Sequence, residues 1–308
     1  MSSKDTTFAA YKKDEGKKYS QGRRGYHPNL YKAVIDYHFS TGGELGTLLD
    51  VGCGPGAVAA ALAPQFDYAI GIDPSEGMIE TARSLGGAAK ADEPIRYEVS
   101  TGEGLGDNLS PSIAASCIDL ITVASAAHWI DMSAFWPRAA EILKPGGTIA
   151  LWCPGSFSVH PDVPNAAAIE KFLKEHEERH LVPYISPGNL LARDLYRELP
   201  LPWTLDKPVS VLDKNTFFRL EWDGSNPTDF YAGDQKLDMN TIEIMAGTLS
   251  PVVRWREAHP EDVGTERDVV KIQRRELERL LQEGGVEKGA EYIQGNLSGV
   301  LMMVKKLA

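Results

Sequence analysis

The chain has 308 residues, of which 43% are hydrophobic, and its formal net charge is −11 at pH 7. This length and composition suit one large domain or one domain with a cap. The acidic balance argues against a general polyanion-binding surface, so nucleic acid is not expected as a partner.

The cysteine content and the hydropathy indicate the cellular compartment of the protein. Cys53, Cys117 and Cys153 are odd in number and far apart, which favours a reducing compartment over a disulfide framework. No run of about 18 apolar residues is present, so no membrane partner is expected. The polar N-terminus lacks the apolar stretch of a signal peptide, and we therefore predict a cytoplasmic protein, as a monomer or homodimer.

Helices and strands alternate through the first half of the chain. The pattern predicts helices over 28–38, 57–63, 75–85 and, from Ser133, over 134–143. It predicts strands over 47–52, 68–73, 95–99, 117–124 and 148–153, with a turn over 144–147. This alternation is typical of an α/β fold with a doubly wound, mostly parallel sheet. A ligand of such a sheet lies beyond the carboxyl ends of the strands, beside the first strand.

The regular alternation of strands and helices ends after Cys153. Residues 155–262 are rich in proline and aromatic residues, and we interpret them as a substrate cap whose strand over 217–222 returns to the sheet. A charged amphipathic helix is predicted over 263–281 and an apolar last strand over 299–305. The predicted organisation is a segment over 1–26, a core over 27–154, the cap, and a C-terminal helix and strand over 263–308.

A glycine-rich turn follows the first strand. Gly52, Gly54 and Gly56 are spaced G-x-G-x-G, whereas a dinucleotide fold has G-x-G-x-x-G. Asp50 would repel a pyrophosphate but suits the ammonium and sulfonium groups of S-adenosylmethionine. Asp73, at the end of the second strand, is placed to accept hydrogen bonds from ribose hydroxyls. We predict an S-adenosylmethionine site, with NAD or an ordinary strand-turn-helix corner as weaker alternatives.

Residues 50–56, Asp-Val-Gly-Cys-Gly-Pro-Gly, together with Asp73 resemble the first two motifs of class I S-adenosylmethionine-dependent methyltransferases. The resemblance implies a Rossmann-like, seven-stranded sheet and S-adenosyl-L-homocysteine as product. It also implies that the loop carrying Gly102 and Glu103 contacts adenine; Glu103 could instead be a helix N-terminal carboxylate. Met78 is a candidate for the adenine face, with a plain core position as the alternative.

The end of the fourth strand is where a methyl donor should meet its acceptor. Ala124 and the small residues after it leave room near the sulfonium, and His128 and Trp129 follow. His128 has a suitable reference pKa near 6.5 for a general base toward a phenol or enol. A satisfied structural histidine is the alternative.

Several segments resemble a narrower group, the fungal and bacterial trans-aconitate methyltransferases. They are Tyr19-Ser20, Arg23, Tyr26-His27-Pro28, Ala127-His128-Trp129, Pro183-Tyr184 and Thr248-Leu249-Ser250 with Trp255. Leu249 departs from that group's usual Trp. The resemblance implies a carboxylate acceptor that gives a methyl ester. It further implies that the N-terminal segment folds over the cofactor, with Tyr19 near its methionine end.

We predict a small-molecule methyl acceptor, and the sequence leaves its chemical class open. A tricarboxylate needs cations, for which Arg23, Arg24, Arg193, Arg219 and Arg254 are candidates. The aromatic cap would equally suit the O-, N- or S-methylation of a flat or apolar metabolite. The predicted substrate-binding set is Arg24, His128, Trp129, Tyr184, Arg219, Trp222 and Trp255.

Two alternatives stand beside this interpretation. His176-Glu177-Glu178-Arg179-His180 fits the zinc motif H-E-x-x-H, but charged neighbours indicate a solvent-facing helix, and we predict no metal. A methyltransferase-like fold could also bind S-adenosylmethionine yet catalyse a different reaction, or act as a non-catalytic binding protein.

Overall fold

A seven-stranded sheet organises the computed structural model, which describes residues 13–22, 25–223, 230 and 236–307. Its strands, in chain order, are β1 (Thr47–Val51), β2 (Tyr68–Asp73), β3 (Arg96–Val99), β4 (Ile118–Ala124), β5 (Leu143–Val159), β6 (Leu212–Trp222) and β9 (Gly295–Lys306). A separate two-stranded sheet joins β7 (Leu237–Asp238) and β8 (Tyr292–Ile293).

The strand order is β3-β2-β1-β4-β5-β9-β6. The pairs among β3, β2, β1, β4 and β5 are parallel, and β9 lies antiparallel between β5 and β6. The order reverses direction at β1, which is flanked by β2 on one side and β4 on the other. The predicted doubly wound, mostly parallel sheet is therefore confirmed.

Ten α-helices are found in the described residues. They are α1 (Lys13–Gly22), α2 (Pro28–Ser40), α3 (Ala57–Leu62), α4 (Glu76–Leu85), α5 (Met132–Ile142), α6 (Ala166–His180), α7 (Pro187–Arg193), α8 (Met239–Gly247), α9 (Ser250–Ala258) and α10 (Val269–Glu283). Within that part of the chain, no helix combines the length and the apolar character that a membrane crossing requires.

The sheet is apolar on both faces because helices cover both. Leu49 and Ile121 belong to the core cluster that includes Phe135 and Trp136 of α5. Their neighbours Leu48 and Leu120 belong to the opposite cluster, with side chains from α2, α3 and α4. Successive strand residues point to opposite faces, so near-continuous apolar strands result when both faces are buried.

The largest difference from the predicted elements lies in β5. The expected turn over 144–147 is part of one 17-residue strand, with Gly146 in the left-handed region at φ 74°. The register along β4 jumps from the pair Ile118–Leu143 to Leu120–Thr148, so the extra residues form a bulge in β5.

The observed starts of two helices also differ from the predicted ones, because capping residues define them. Asp131 accepts a hydrogen bond from the Ser133 N–H and begins α5 before the predicted Ser133. Asp268 similarly caps α10 by accepting from the Val270 N–H, so 263–268 lies outside that helix. The strand predicted over 217–222 is the second half of β6, and α1 was not predicted.

The position of β9 between β5 and β6 has a measurable consequence. Leu301→Ala should lower the free energy of unfolding by about 2–5 kcal/mol, because Leu301 is fully buried in the core cluster that includes Leu30 and Val34 of α2. Leu307→Ala, at a residue that is 50% exposed, is the matched control and should cost less than about 0.5 kcal/mol. Urea denaturation measures both, and equal losses would contradict the placement.

Candidate functional site

The candidate residues meet at the carboxyl edge of the sheet. The turn after β1, the end of β2 and the end of β4 are adjacent there because these three strands are parallel neighbours. Strand order reverses at this point, which leaves the crevice where ligands of doubly wound sheets bind.

The turn over 52–56 requires its glycines. Gly52, Gly54 and Gly56 have φ of 64°, 53° and 89°, a region that other residues rarely adopt. A Cβ at Gly52 would lie 2.5 Å from the Ala126 Cβ, and one at Gly56 would lie 2.6 Å from the Tyr97 hydroxyl. A Cβ at Gly54 would meet no atom within 4 Å among the described residues. The turn is therefore packed at both ends and open at its tip.

Asp50 lies beneath this turn and is 1% exposed. Its Oδ1 accepts a hydrogen bond from the Thr122 hydroxyl at 2.7 Å, and its Oδ2 accepts one from the Ala59 N–H at 3.2 Å. The carboxylate thus ties β1 to β4 and to the first turn of α3. Its contact with a ligand ammonium stays a prediction; in the structure Asp50 positions the turn.

Asp73 closes the other side of the turn. One carboxylate oxygen accepts a hydrogen bond from the Gly54 N–H at 3.0 Å, and the other accepts from the Ser75 N–H at 2.9 Å. An ionised carboxylate has about four acceptor sites, so hydroxyl donors can still be accommodated. Asp73 is 8% exposed and stands at the open tip, where a ribose would lie.

Burial makes both aspartates harder to ionise. It raises the pKa of Asp50 to about 7, with hydrogen bonds from Thr122 and Ala59 opposing the shift and the charge of Asp73 adding to it. Burial likewise raises the pKa of Asp73 to about 6. Ionisation of the pair therefore weakens the ligand-free fold as the pH rises from 3.8 through 6 and 7.

The adenine-side candidates lie beyond β3. Gly102 is buried, and a Cβ there would lie 2.5 Å from Ile130 Cδ1. Glu103 accepts a hydrogen bond from the N–H of Asp131, the residue that caps α5. This contact agrees with the helix N-terminal alternative for Glu103. Met78 is 3% exposed in the first turn of α4, which favours a core position.

The end of β4 brings a tyrosine from the N-terminal part of the chain to the site. Ala124 is the last strand residue, and Ser125 follows in the left-handed region at φ 51°. The Tyr26 hydroxyl lies 2.6 Å from the Ser125 hydroxyl, and the Tyr26 ring packs edge-on against Trp152 at 5.6 Å. Tyr26 was not among the predicted site residues, although its segment was noted in the resemblance.

His128 and Trp129 form a short 3-10 helix directly after this point. Their rings lie 4.4 Å apart, and both side chains are half-buried. His128 Nδ1 lies 2.7 Å from the hydroxyl of Tyr196, a buried residue of the cap. A Cβ at Gly188 would lie 2.8 Å from the Trp129 ring, so the start of α7 packs directly on this segment.

The N-terminal helix α1 lies near the same edge. It packs against α4, the helix that follows Asp73, and against α8. A Cβ at Gly16 would lie 2.7 Å from the Gly77 carbonyl oxygen, and one at Gly22 would lie 2.7 Å from Thr248 Cγ2. Tyr19 is half-buried within α1. Its contact with the methionine end of a cofactor stays a prediction.

Three aromatic residues predicted to bind substrate contact other side chains of the protein. The Tyr184 hydroxyl lies 3.0 Å from His259 Nε2, and Trp255 stacks on His259 at 4.6 Å. Trp255 is 6% exposed within a cap cluster, and Trp222 is 5% exposed against Phe230. These positions favour core roles for Trp222 and Trp255.

The described arginine candidates form hydrogen bonds or ion pairs with other groups of the protein. Arg193 makes a bidentate pair with Glu177, and Arg219 donates to Glu221 and to the Leu195 carbonyl. Arg254 donates to the Tyr184 carbonyl and to Asn189. These pairs favour structural roles. Arg24, like Arg23, lies outside the described residues.

The H-E-x-x-H segment lies on α6, with the rings of His176 and His180 5.0 Å apart. Burial, with the charges of His180 and Arg179, lowers the pKa of His176 to about 4. Among the described residues, the one group of three metal-ligating side chains with ligand atoms within 4.8 Å is His259, Glu261 and Asp262. It includes neither histidine of the motif.

Comparison with known proteins identifies the region that carries the site. Residues 49–151 match the methyltransferase domain family. Methyltransferase cfoB of Aspergillus candidus is 33% identical over 153 residues, which is 49% of this chain and 46% of that protein. CRG1 of Saccharomyces cerevisiae, named as a probable S-adenosylmethionine-dependent methyltransferase, is 30% identical over 148 residues, 48% of this chain and 47% of that protein. The chain spans about half the length of the curated relatives it matches.

A solved structure extends the comparison to the whole fold. A protein of Anaeromyxobacter dehalogenans, assigned as a type II methyltransferase, superposes with a TM-score of 0.59 at 21% identity. The match covers 92% of this chain and 98% of that one. At this identity the likeness supports the fold alone, and with the family match it confirms the predicted Rossmann-like methyltransferase architecture.

The packing of the glycine turn can be tested by stability. Gly52→Ala combines a left-handed backbone with a steric conflict against Ala126, and should cost about 2–5 kcal/mol. Gly42→Ala is the matched control, because φ is 83° with open space around the new Cβ, and should cost only about 1–2 kcal/mol of strain. Urea denaturation measures both, and an equal loss would show that Ala126 does not press on the turn.

Proposed function

We propose that this chain transfers the methyl group of S-adenosylmethionine to a small-molecule acceptor, because residues 49–151 match the methyltransferase domain family. The observation that carries the proposal is the open tip of the glycine turn between two buried aspartates. Gly54 leaves room there for a ligand, while Asp73 and the underlying Asp50 supply negative charge. These residues fit a cationic adenosine ligand better than a phosphate-bearing one.

The cofactor, when bound, supplies a methyl group already activated on a sulfonium. The protein's share is then alignment of the reacting atoms, which can contribute roughly 7–11 kcal/mol in favourable systems. Asp73 would hold the ribose, Asp50 would keep the turn in place, and α1 would cover the edge from above. His128 and Trp129 would face the acceptor beyond the end of β4.

Two chemical classes of methyl acceptor are considered. Resemblance to the trans-aconitate methyltransferases supports a carboxylate, which needs no base but does need cationic partners. A phenol or enol is supported by two observations: His128 is held near the reaction edge, and Arg193, Arg219 and Arg254 already have protein partners. We therefore favour an acceptor that must lose a proton. Catalysis of another reaction by the same fold is the alternative function.

The proposal is tested with purified protein and tritiated S-adenosylmethionine. Calorimetry should detect binding of S-adenosylmethionine and S-adenosylhomocysteine but not NAD, and label should pass to a phenol or to trans-aconitate. His128→Ala should reduce transfer to a phenol by about 10²–10⁴-fold with cofactor affinity unchanged. Unchanged transfer would remove His128 as a base. Affinity for NAD alone would overturn the cofactor assignment.

The raised pKa values of Asp50 and Asp73 make cofactor affinity depend on pH. A bound cation favours the ionised carboxylates, so binding releases protons. Affinity should therefore rise between about pH 5.5 and pH 7, below the ordinary range of the ligand's α-amino group. Calorimetry in two buffers of different ionisation enthalpy measures affinity and proton release together. A cofactor affinity that stays constant or falls over this pH range would contradict binding beside Asp50 and Asp73.

A further inference from the structure

Ser125, the residue after β4, has a strained backbone at the carboxyl edge of the sheet. Its φ is 51°, in the left-handed region that glycine adopts readily but that is unfavourable for a residue with a Cβ. It precedes the short 3-10 helix that carries His128 and Trp129, so its backbone sets the direction in which the chain leaves the strand. Such a conformation persists where the surrounding structure holds it.

Two residues hold Ser125 from different sides. The Tyr26 hydroxyl lies 2.6 Å from the Ser125 hydroxyl, although the two residues are 99 positions apart in the chain. The Ser125 N–H donates a hydrogen bond to the Trp152 carbonyl at 2.7 Å. The rings of Tyr26 and Trp152 also pack edge-on, with centroids 5.6 Å apart. The three residues therefore contact one another in a closed set.

The start of α2 fixes the position of Tyr26. The next residue, His27, caps this helix, and its Nδ1 accepts a hydrogen bond from the Asn29 N–H at 3.1 Å. Leu30 and Val34 of α2 are fully buried in a core cluster against which Tyr26 also packs. The Tyr26 hydroxyl is thus presented by a helix that is anchored in the core.

The conformation of Ser125 determines a contact with the glycine turn. The next residue, Ala126, is 8% exposed, and its Cβ lies only 2.5 Å from where a Cβ at Gly52 would be. If Ser125 relaxed to a negative φ, the chain would leave β4 in another direction and Ala126 would withdraw from Gly52. The contact made by Tyr26 is therefore transmitted to the turn through two neighbouring residues.

We propose that Tyr26 is a positioning residue that holds Ser125 in the left-handed region. The held serine places Ala126 against the glycine turn and fixes the start of the 3-10 helix that follows. One contact from the beginning of α2 thereby aligns the cofactor side of the site with the acceptor side. This inference rests on the proposed function for its meaning in methyl transfer, whereas the positioning itself is testable without a ligand.

The first test measures the affinity of the full chain for S-adenosylhomocysteine by calorimetry. Tyr26→Phe and Ser125→Ala each remove one neutral hydrogen bond and should weaken binding by about 3–10-fold. Ser125→Gly also lacks the hydroxyl, but glycine adopts a positive φ readily, so binding should stay within about twofold of the wild type. Rescue by glycine and not by alanine separates a role of the backbone from a direct contact between the hydroxyl and the ligand.

Ser116→Ala and Ser116→Gly are the matched controls. Ser116 has the same φ of 51°, and its N–H donates to the Glu141 carbonyl at 3.0 Å, but it precedes β4 at the amino edge of the sheet. Both substitutions should leave the affinity for S-adenosylhomocysteine unchanged. Equal affinities of Ser125→Ala and Ser125→Gly would overturn the inference, as would an unchanged affinity of Tyr26→Phe.

The second test uses the chain without ligand. Urea denaturation measures the shift in unfolding midpoint that Gly52→Ala causes in four backgrounds. The shift should be large in the wild type and in Ser125→Gly, where Ala126 is held against the new Cβ. It should be smaller in Tyr26→Phe and in Ser125→Ala, where Ala126 can withdraw. Equal shifts in all four backgrounds would contradict the positioning role.

The two tests distinguish failure of this inference from failure of the proposed function. Unequal midpoint shifts in a chain that binds neither S-adenosylmethionine nor S-adenosylhomocysteine would support the positioning role of Tyr26 and overturn the proposed cofactor. Equal shifts in a chain that binds S-adenosylmethionine would overturn the positioning role and leave the proposed function standing.

Discussion

Two buried carboxylates beneath a left-handed glycine turn are the constraint on which the site depends. Asp50 joins β1, β4 and α3 through Thr122 and Ala59, and Asp73 holds the tip of the turn through Gly54. Burial raises the pKa of both, and the charge of Asp73 adds to the rise at Asp50. In the proposed function, a cationic cofactor would favour the ionised carboxylates and so relieve part of this cost.

The acceptor side of the site is built by segments far apart in the chain. Gly188 packs on Trp129, Tyr196 meets His128, and Tyr26 meets Ser125. β6 supports this edge indirectly, because Arg219 holds the carbonyl next to Tyr196 and Glu221 holds Arg219. Residues 188 and 196 are thus linked to the carboxyl edge of the sheet by a few directional contacts. Small changes in the loop at 194–199 should be felt at His128.

Charge pairing narrows the chemistry of the acceptor. The candidate arginines Arg193, Arg219 and Arg254 pair with glutamates or donate to backbone carbonyls, so recruiting one of them to a substrate carboxylate would leave a partner unsatisfied. This cost is the reason why the proposed function favours a protonated oxygen acceptor over a carboxylate.

The sequence by itself determined the sheet class and the glycine turn, and it indicated the cofactor that we propose. Each depends on local rules: strand residues alternate between faces, a tight turn needs residues that tolerate positive φ, and an acid repels phosphate. Long-range contacts decided the rest. Asp50 turns inward because Thr122 of a neighbouring strand offers a donor, and residues 144–147 form a bulge within β5 because β4 pairs with Leu143 before them and with Thr148 after them. The contact of Tyr196 with His128 had no sequence signal, since only folding brings the two residues together.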